Sequence, residues 1–111
     1  MLMRLRERDK RTLTLRTPKE GSLSEDVIEW GESRVIRAAI YPAGRELEAQ
    51  VYGERISDMR LMLYEGAAKL EVGMGVCVDV TDDVPDYRII RIEQWAHTRA
   101  TLERIPEGRR G

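Results

Sequence analysis

Phenylalanine is absent from this chain of 111 residues, histidine and cysteine occur once each, and neither sign of charge prevails. Each shortage narrows what the protein does. One cysteine, Cys77, permits no internal disulfide framework and no thiolate metal cluster, and a reducing interior suits it. One histidine, His97, leaves only a carboxylate-rich arrangement for a metal. Lys+Arg 19 against Asp+Glu 20 lacks the basic excess expected of a dedicated nucleic-acid or membrane-surface binder. Aromatics at 5% make a poor platform for stacking bases. No apolar run approaches the roughly 20 residues that span a bilayer. The opening MLMRLRERDK has no hydrophobic core segment and no small-residue cleavage site, so it does not read as a secretory signal. No glycine-rich phosphate cradle occurs: VGMGVC holds two glycines but neither GxGxxG nor a following Walker lysine.

What is present is alternation. In KRTLTLRTP, Leu13 and Leu15 share one side, Thr12, Thr14 and Arg16 the other, and Pro18 ends the run. KEGSLSED reads as loop. Residues 27–30, a break at Gly31-Glu32-Ser33 and residues 34–41 suggest a hairpin closed by Pro42-Ala43-Gly44. GMGVCVDV sets Val76, Val78 and Val80 against Cys77 and Asp79, the clearest strand pattern of the chain. Tyr87 and Ile89 share a phase that Ile90 and Ile92 oppose, which a bulge explains, and RATLERI alternates through Ala100 and Leu102.

Residues 45–66 are ambiguous. Leu47, Val51, Ile56, Met59 and Leu63 recur at helical spacing, yet Leu47-Ala49-Val51 and Met59-Leu61-Leu63 alternate, and Gly53 disfavours a helix. Two extended pieces are expected, with one short helix near residues 45–52 as the alternative. Residues 65–73, with glycine near each end, read as a connection. Six or seven short strands spaced by turn signals predict a mainly all-β fold, a small barrel or sandwich. The chain, 1–111, is expected to be one domain with a core over about 8–105 and flexible arms at both ends.

No catalytic constellation emerges. No serine or carboxylate stands at a recognisable spacing from His97, so a turn or strand residue with a satisfied ring nitrogen is favoured. Cys77 between valines has no electropositive niche and reads as structural. Asp79, Asp82, Asp83 and Asp86 suggest a calcium loop but lack its turn glycine and distal glutamate, and aspartates at a turn bond their own backbone. Arg88, Arg91, Arg99 and Arg104, with Tyr87 and Trp95, suggest a single-strand binder, but Glu93 and Glu103 among them favour cross-strand charge pairing. No enzyme, metal or cofactor is expected.

The ordered series RAAIYPAG, RELEAQVYGERISDMRLMLYEG, MGVCVDV, DYRIIRIEQWAHTRATLERI resembles the head-closure (head–tail connector, joining or stopper) proteins of tailed bacteriophages and prophages. An A-x-[IV]-x-P stretch ends at Pro42, and a turn follows at Arg45-Glu46-Leu47. A strand closing as [MR]-x-[LI]-x-Y-x-G runs through residues 59–66, and Y-x-[IV]-x-x-[IV] leads into the last strand, residues 87–105. The likeness covers about residues 8–105. One departure is the segment between Gly66 and Gly75, longer than the usual tight turn.

The resemblance implies a structural virion protein, not an enzyme. It implies a homo-oligomeric ring at the head–tail interface that closes the portal channel after DNA packaging and docks the tail. The implied partners are further copies of itself, a portal or adaptor protein, a tail-completion protein, and packaged double-stranded DNA in the lumen, bound without sequence preference. The implied locations are the virion and, during assembly, the bacterial cytoplasm, with no membrane. Glu65, Gly66, Lys69, Glu71 and Gly73 are the candidate channel-facing loop. Arg4, Arg6, Arg8, Arg109 and Arg110 are candidate interaction arms. The alternatives are a tail-completion or terminator subunit and a small OB-like nucleic-acid-binding barrel.

Overall fold

The computed structural model describes residues 6–20, 28–42, 58–94 and 97–107. A 3-10 turn at Glu7–Asp9 precedes six strands: β1 (Arg11–Pro18), β2 (Trp30–Pro42), β3 (Met59–Tyr64), β4 (Gly75–Cys77), β5 (Tyr87–Gln94) and β6 (Thr98–Arg104). All neighbouring strands pair antiparallel in the order β1-β2-β3-β6-β5-β4, and β4 returns to β1. The fold is therefore an all-β closed barrel rather than an open sandwich, with each strand flanked by a neighbour on both sides for part of its length. The expected short helix near residues 45–52, and the extended piece opposed to it, lie outside the described residues.

Alternation builds β1 as read. Leu13 and Leu15 are buried, while Thr12 and Thr14 face outward. β2 differs from expectation. It runs unbroken through Gly31-Glu32-Ser33, so no hairpin turn forms there. The irregularity falls instead on β1, whose register slips between Arg16 and Pro18 opposite this stretch. Arg16 stitches the slip by donating to the carbonyls of Gly31 (2.8 Å) and Trp30 (3.3 Å). The Lys19 N–H then donates to the Glu29 carbonyl (2.9 Å) beyond the ladder.

β3 also differs. Met62 and Tyr64 face the barrel core, not Leu61 and Leu63. Met59, on the same side as Leu61 and Leu63, is nonetheless fully buried, as is Ala39 on β2. Both sides of this strand are thus withdrawn from solvent, which blurs a two-residue rhythm.

β4, expected to be the clearest strand, spans three residues. Asp86 explains the early stop. Its carboxylate accepts from the Val78 N–H (2.7 Å) and the Asp79 N–H (2.9 Å), taking the donors a longer ladder would need. Asp82 likewise accepts from the Val84 N–H two residues on (3.0 Å), an Asx turn. β5 carries the expected bulge: Ile89 pairs with Leu102 and Arg91 with Thr101, leaving Ile90 as the extra residue.

The interior is filled by side chains from every strand, with Leu13, Ile36, Met62, Val76, Ile89 and Leu102 among them. A six-stranded barrel is narrower than the eight-stranded kind that side chains just fill, and here core side chains of the described residues occupy its interior. A smaller cluster of Ile28, Trp30 and Ile105, with Val84 against it, sits apart from this core. Gly75 lies on the opposite side of β4 from core-facing Val76. A Cβ there would stand 2.5 Å from Pro85 and 2.6 Å from Trp30.

The order of strands fixes one connection. In the closed ring β3 and β4 stand three places apart, on opposite sides. Residues 65–74 must therefore cross an end of the barrel. They pack Ala68, Leu70 and Met74 against the core on the way.

Asp86→Ala strips two backbone N–H groups of their acceptor, at a cost of about 2–3 kcal/mol. Asp86→Asn, which keeps one acceptor oxygen, should cost less. In urea unfolding the midpoint falls in that order while the slope stays constant. Equal midpoints for wild type and Asp86→Ala would refute the clamp.

Candidate functional site: the two mouths of the barrel

β1, β3 and β5 run parallel to one another, so their first residues crowd one mouth and their last residues the other. The strands deliver different chemistry to each.

The second mouth is the one crossed by residues 65–74. Thr17, Glu32 and Arg34 follow the inward-facing positions of β1 and β2 out of the apolar core. With Lys69, Glu71 and Met74 of the crossing loop they line a cleft of about 370 Å3. The loop is anchored. The Ala68 N–H donates to the Tyr64 hydroxyl (2.9 Å), and the Met74 N–H donates to the Glu71 carbonyl (3.2 Å). Gly73 turns the chain at φ 99°, where a side chain would be strained, while its N–H donates to Ile89 (2.8 Å).

The candidate loop residues fall here in three settings. Glu65 is half-buried in an ion pair with Lys10 (3.1 Å), Gly73 is buried, and Gly66, Lys69 and Glu71 are exposed. Of the candidate arm residues, Arg6 and Arg8 are exposed, and Arg8 lies 3.9 Å from Asp9. Arg4, Arg109 and Arg110 lie outside the described residues. The Lys10–Glu65 pair ties the chain just ahead of β1 to the crossing loop.

The first mouth gathers residues that sequence reasoning did not group. Arg11, Arg60 and Arg104 each stand two residues beyond a core-facing apolar side chain, Leu13, Met62 and Leu102, and so share its inward side. Beneath them lies Tyr87, fully buried. The Arg104 guanidinium stacks 5.1 Å from the Tyr87 ring centre and donates to its hydroxyl (2.9 Å). The Arg60 guanidinium lies 5.6 Å from the same ring and donates to the Met59 carbonyl (2.9 Å). Arg11 donates to the Val78 carbonyl. Burial pushes the Tyr87 phenol above its ordinary pKa, against the opposing pull of Arg60 and Arg104. Arginine two places outside an apolar inward position recurs at three strand ends, a spacing that gains meaning only once the strands are known to share a mouth.

The other candidates separate. Of the arginines once grouped with aromatics, only Arg104 meets Tyr87. Arg88 lies beside Glu103 (3.7 Å), the cross-strand charge pairing expected, whereas Arg91 lies beside Glu93 of its own strand (3.6 Å). Trp95 lies outside the described residues. His97 is half-buried, and its Nδ1 has no hydrogen-bond partner among the described residues. Among the described residues no group of three or more His, Cys, Asp or Glu is placed to hold a metal.

Cys77 is buried and free. Desolvation, reinforced by Asp86, Asp83 and Asp82 and opposed by Arg16, pushes its thiol up to about 11. Compared with family models, curated proteins and solved structures, the chain matches none.

Because the folded thiol holds its proton more tightly than the unfolded one at 9.0, Cys77 favours the folded state below about pH 9. That contribution disappears as pH rises toward 11. Disulfide-exchange reagents should react with the native protein at pH 8 at least tenfold more slowly than with the urea-unfolded chain. Equal rates would contradict the burial.

Proposed function

We propose that this chain is a structural virion protein of a tailed phage or prophage. It forms a ring at the head–tail interface that closes the portal channel after packaging and gives the tail its docking surface. The observation that carries this reading is where the resembling segments fall. The A-x-[IV]-x-P stretch is the end of β2, the Met59–Tyr64 segment is β3, and the Tyr87 segment opens the β5–β6 hairpin of one small barrel. A filled interior adds support, because the molecule then works through its outer faces, its mouths and its arms.

Closure changes how a ring would be made. Contacts by addition of strand to strand need free edges, and closure gives every strand a neighbour on both sides for part of its length. Subunits would meet through side-chain faces and loops, in a heterologous contact that closes by rotation. An OB-like barrel is less favoured, since that fold has five strands and is partly open.

The test is to locate the chain in particles by electron microscopy and to delete its gene. A ring between portal and tail, with deletion giving heads that lose DNA and lack tails, is the expected result. Placement at the tail's upper end, with DNA retained in tailless heads, would instead make it a terminator subunit. Particles that assemble normally without it refute the proposal.

A further inference from the structure

The longest strand is covered along only part of one side. We propose that the bare stretch of β2 around Ser33 is a two-fold contact with a second copy of this chain, the two strands pairing antiparallel with Ser33 at the centre. The proposal goes beyond the ring and does not depend on it.

β2 runs Trp30–Pro42. β1 pairs with it between Trp30 and Ala38, but on the other side β3 reaches only Ala39–Pro42. None of the described strands lies on that side of residues 30–38. Glu32, Ser33, Arg34 and Val35 are all exposed, Val35 to 67%, so this stretch faces solvent. A strand without a neighbour offers its backbone N–H and carbonyl groups to another strand.

Charge selects the partner and the register. Charged residues on an edge deter pairing unless they meet their opposites. With Ser33 at the centre, Glu32 of each copy stands opposite Arg34 of the other. Centring on Glu32 or on Arg34 would instead oppose like charges. Glu32 and Arg34 both line the cleft of the second mouth, and neither has an ion-pair partner among the described residues. Lys69 and Glu71, exposed across that cleft, are of opposite sign and offset each other. On the outer side Ser33 meets Ser33, and Val35 overhangs Gly31 of the second copy, which has no side chain to obstruct it.

The contact uses one surface twice and therefore closes at two copies. The register slip against β1 between Trp30 and Ser33 bends the strand and keeps the new ladder short. So small a contact makes a weak, rapidly exchanging pair, formed at high protein concentration.

The experiment is a concentration series of the purified chain by sedimentation equilibrium. The mass should rise from one copy toward two and no further, and less so at high salt. Glu32→Arg or Arg34→Glu alone opposes like charges and should weaken pairing about fivefold or more. The two together restore complementarity and should return it to within about twofold of wild type. Both positions are exposed, so urea midpoints of all three variants should match wild type, which separates pairing from folding. Ser33→Cys should give a disulfide-linked pair under mild oxidation, since directly opposed strand residues lie within disulfide reach. The native Cys77 is buried and leaves that result readable.

A chain that stays monomeric at every concentration overturns the pairing and leaves the edge to some other strand. Single reversals without effect overturn it too, as does a double swap no better than either single. Larger assemblies in which Ser33→Cys stays unlinked place the contact elsewhere and also sink it. None of these results touches the ring, which is judged by position in particles.

Discussion

Everything in this molecule depends on a ladder of three residue pairs. Thr14 with Cys77, Leu15 with Val76 and Arg16 with Gly75 join β1 to β4 and turn a six-stranded sheet into a barrel. Such a short ladder would be weak alone. It is supported on both sides of β4. Inside, Val76 enters the main core; outside, Pro85 and Trp30 fill the space that Gly75 leaves. Asp86 holds the chain just beyond, and Arg16 reaches the Asp83 carbonyl (2.9 Å) to bind the following connection to β1. Closure covers part of each strand edge that would otherwise recruit other chains. It also makes the two mouths the distinctive surfaces.

Much of this was legible in the residues. The rhythm of Leu13 and Leu15, the parity change at Ile90 and the aspartate-rich turn all follow from local chemistry, and local chemistry prevailed there. The hidden features arise from partners distant in sequence. Gly31 looked like a break because glycine and serine favour turns, yet the long pairing with β1 keeps β2 straight through it. Val80 matched the strand pattern, but Asp86 had already claimed the backbone donors. The leucines of β3 marked its apolar side for an isolated strand. Only the barrel's register shows that Met62 and Tyr64 point inward.

The arginine-lined mouth was illegible for a related reason. Arg11, Arg60 and Arg104 lie far apart in the chain, and each is unremarkable beside its own neighbours. Only the parallel run of β1 and β3, with β6 returning beside β3, brings them to one rim over Tyr87. The acidic residues flanking other arginines had argued against any basic surface, and for Arg88 and Arg91 they were a sound guide. The balance of charge over the whole chain conceals an arrangement that is uneven in space.

The placement of β4 has a consequence for how the chain is made. β1 leaves the ribosome early, but one of its two neighbours is encoded some sixty residues later. Until then the leucine-bearing side of β1 has a hairpin partner and nothing to enclose it. Nascent chains halted before Gly75 would be sticky three-stranded sheets with both rims unguarded. Such distant pairing also favours slow maturation, in which the final seam is sewn only after the last hairpin is ready.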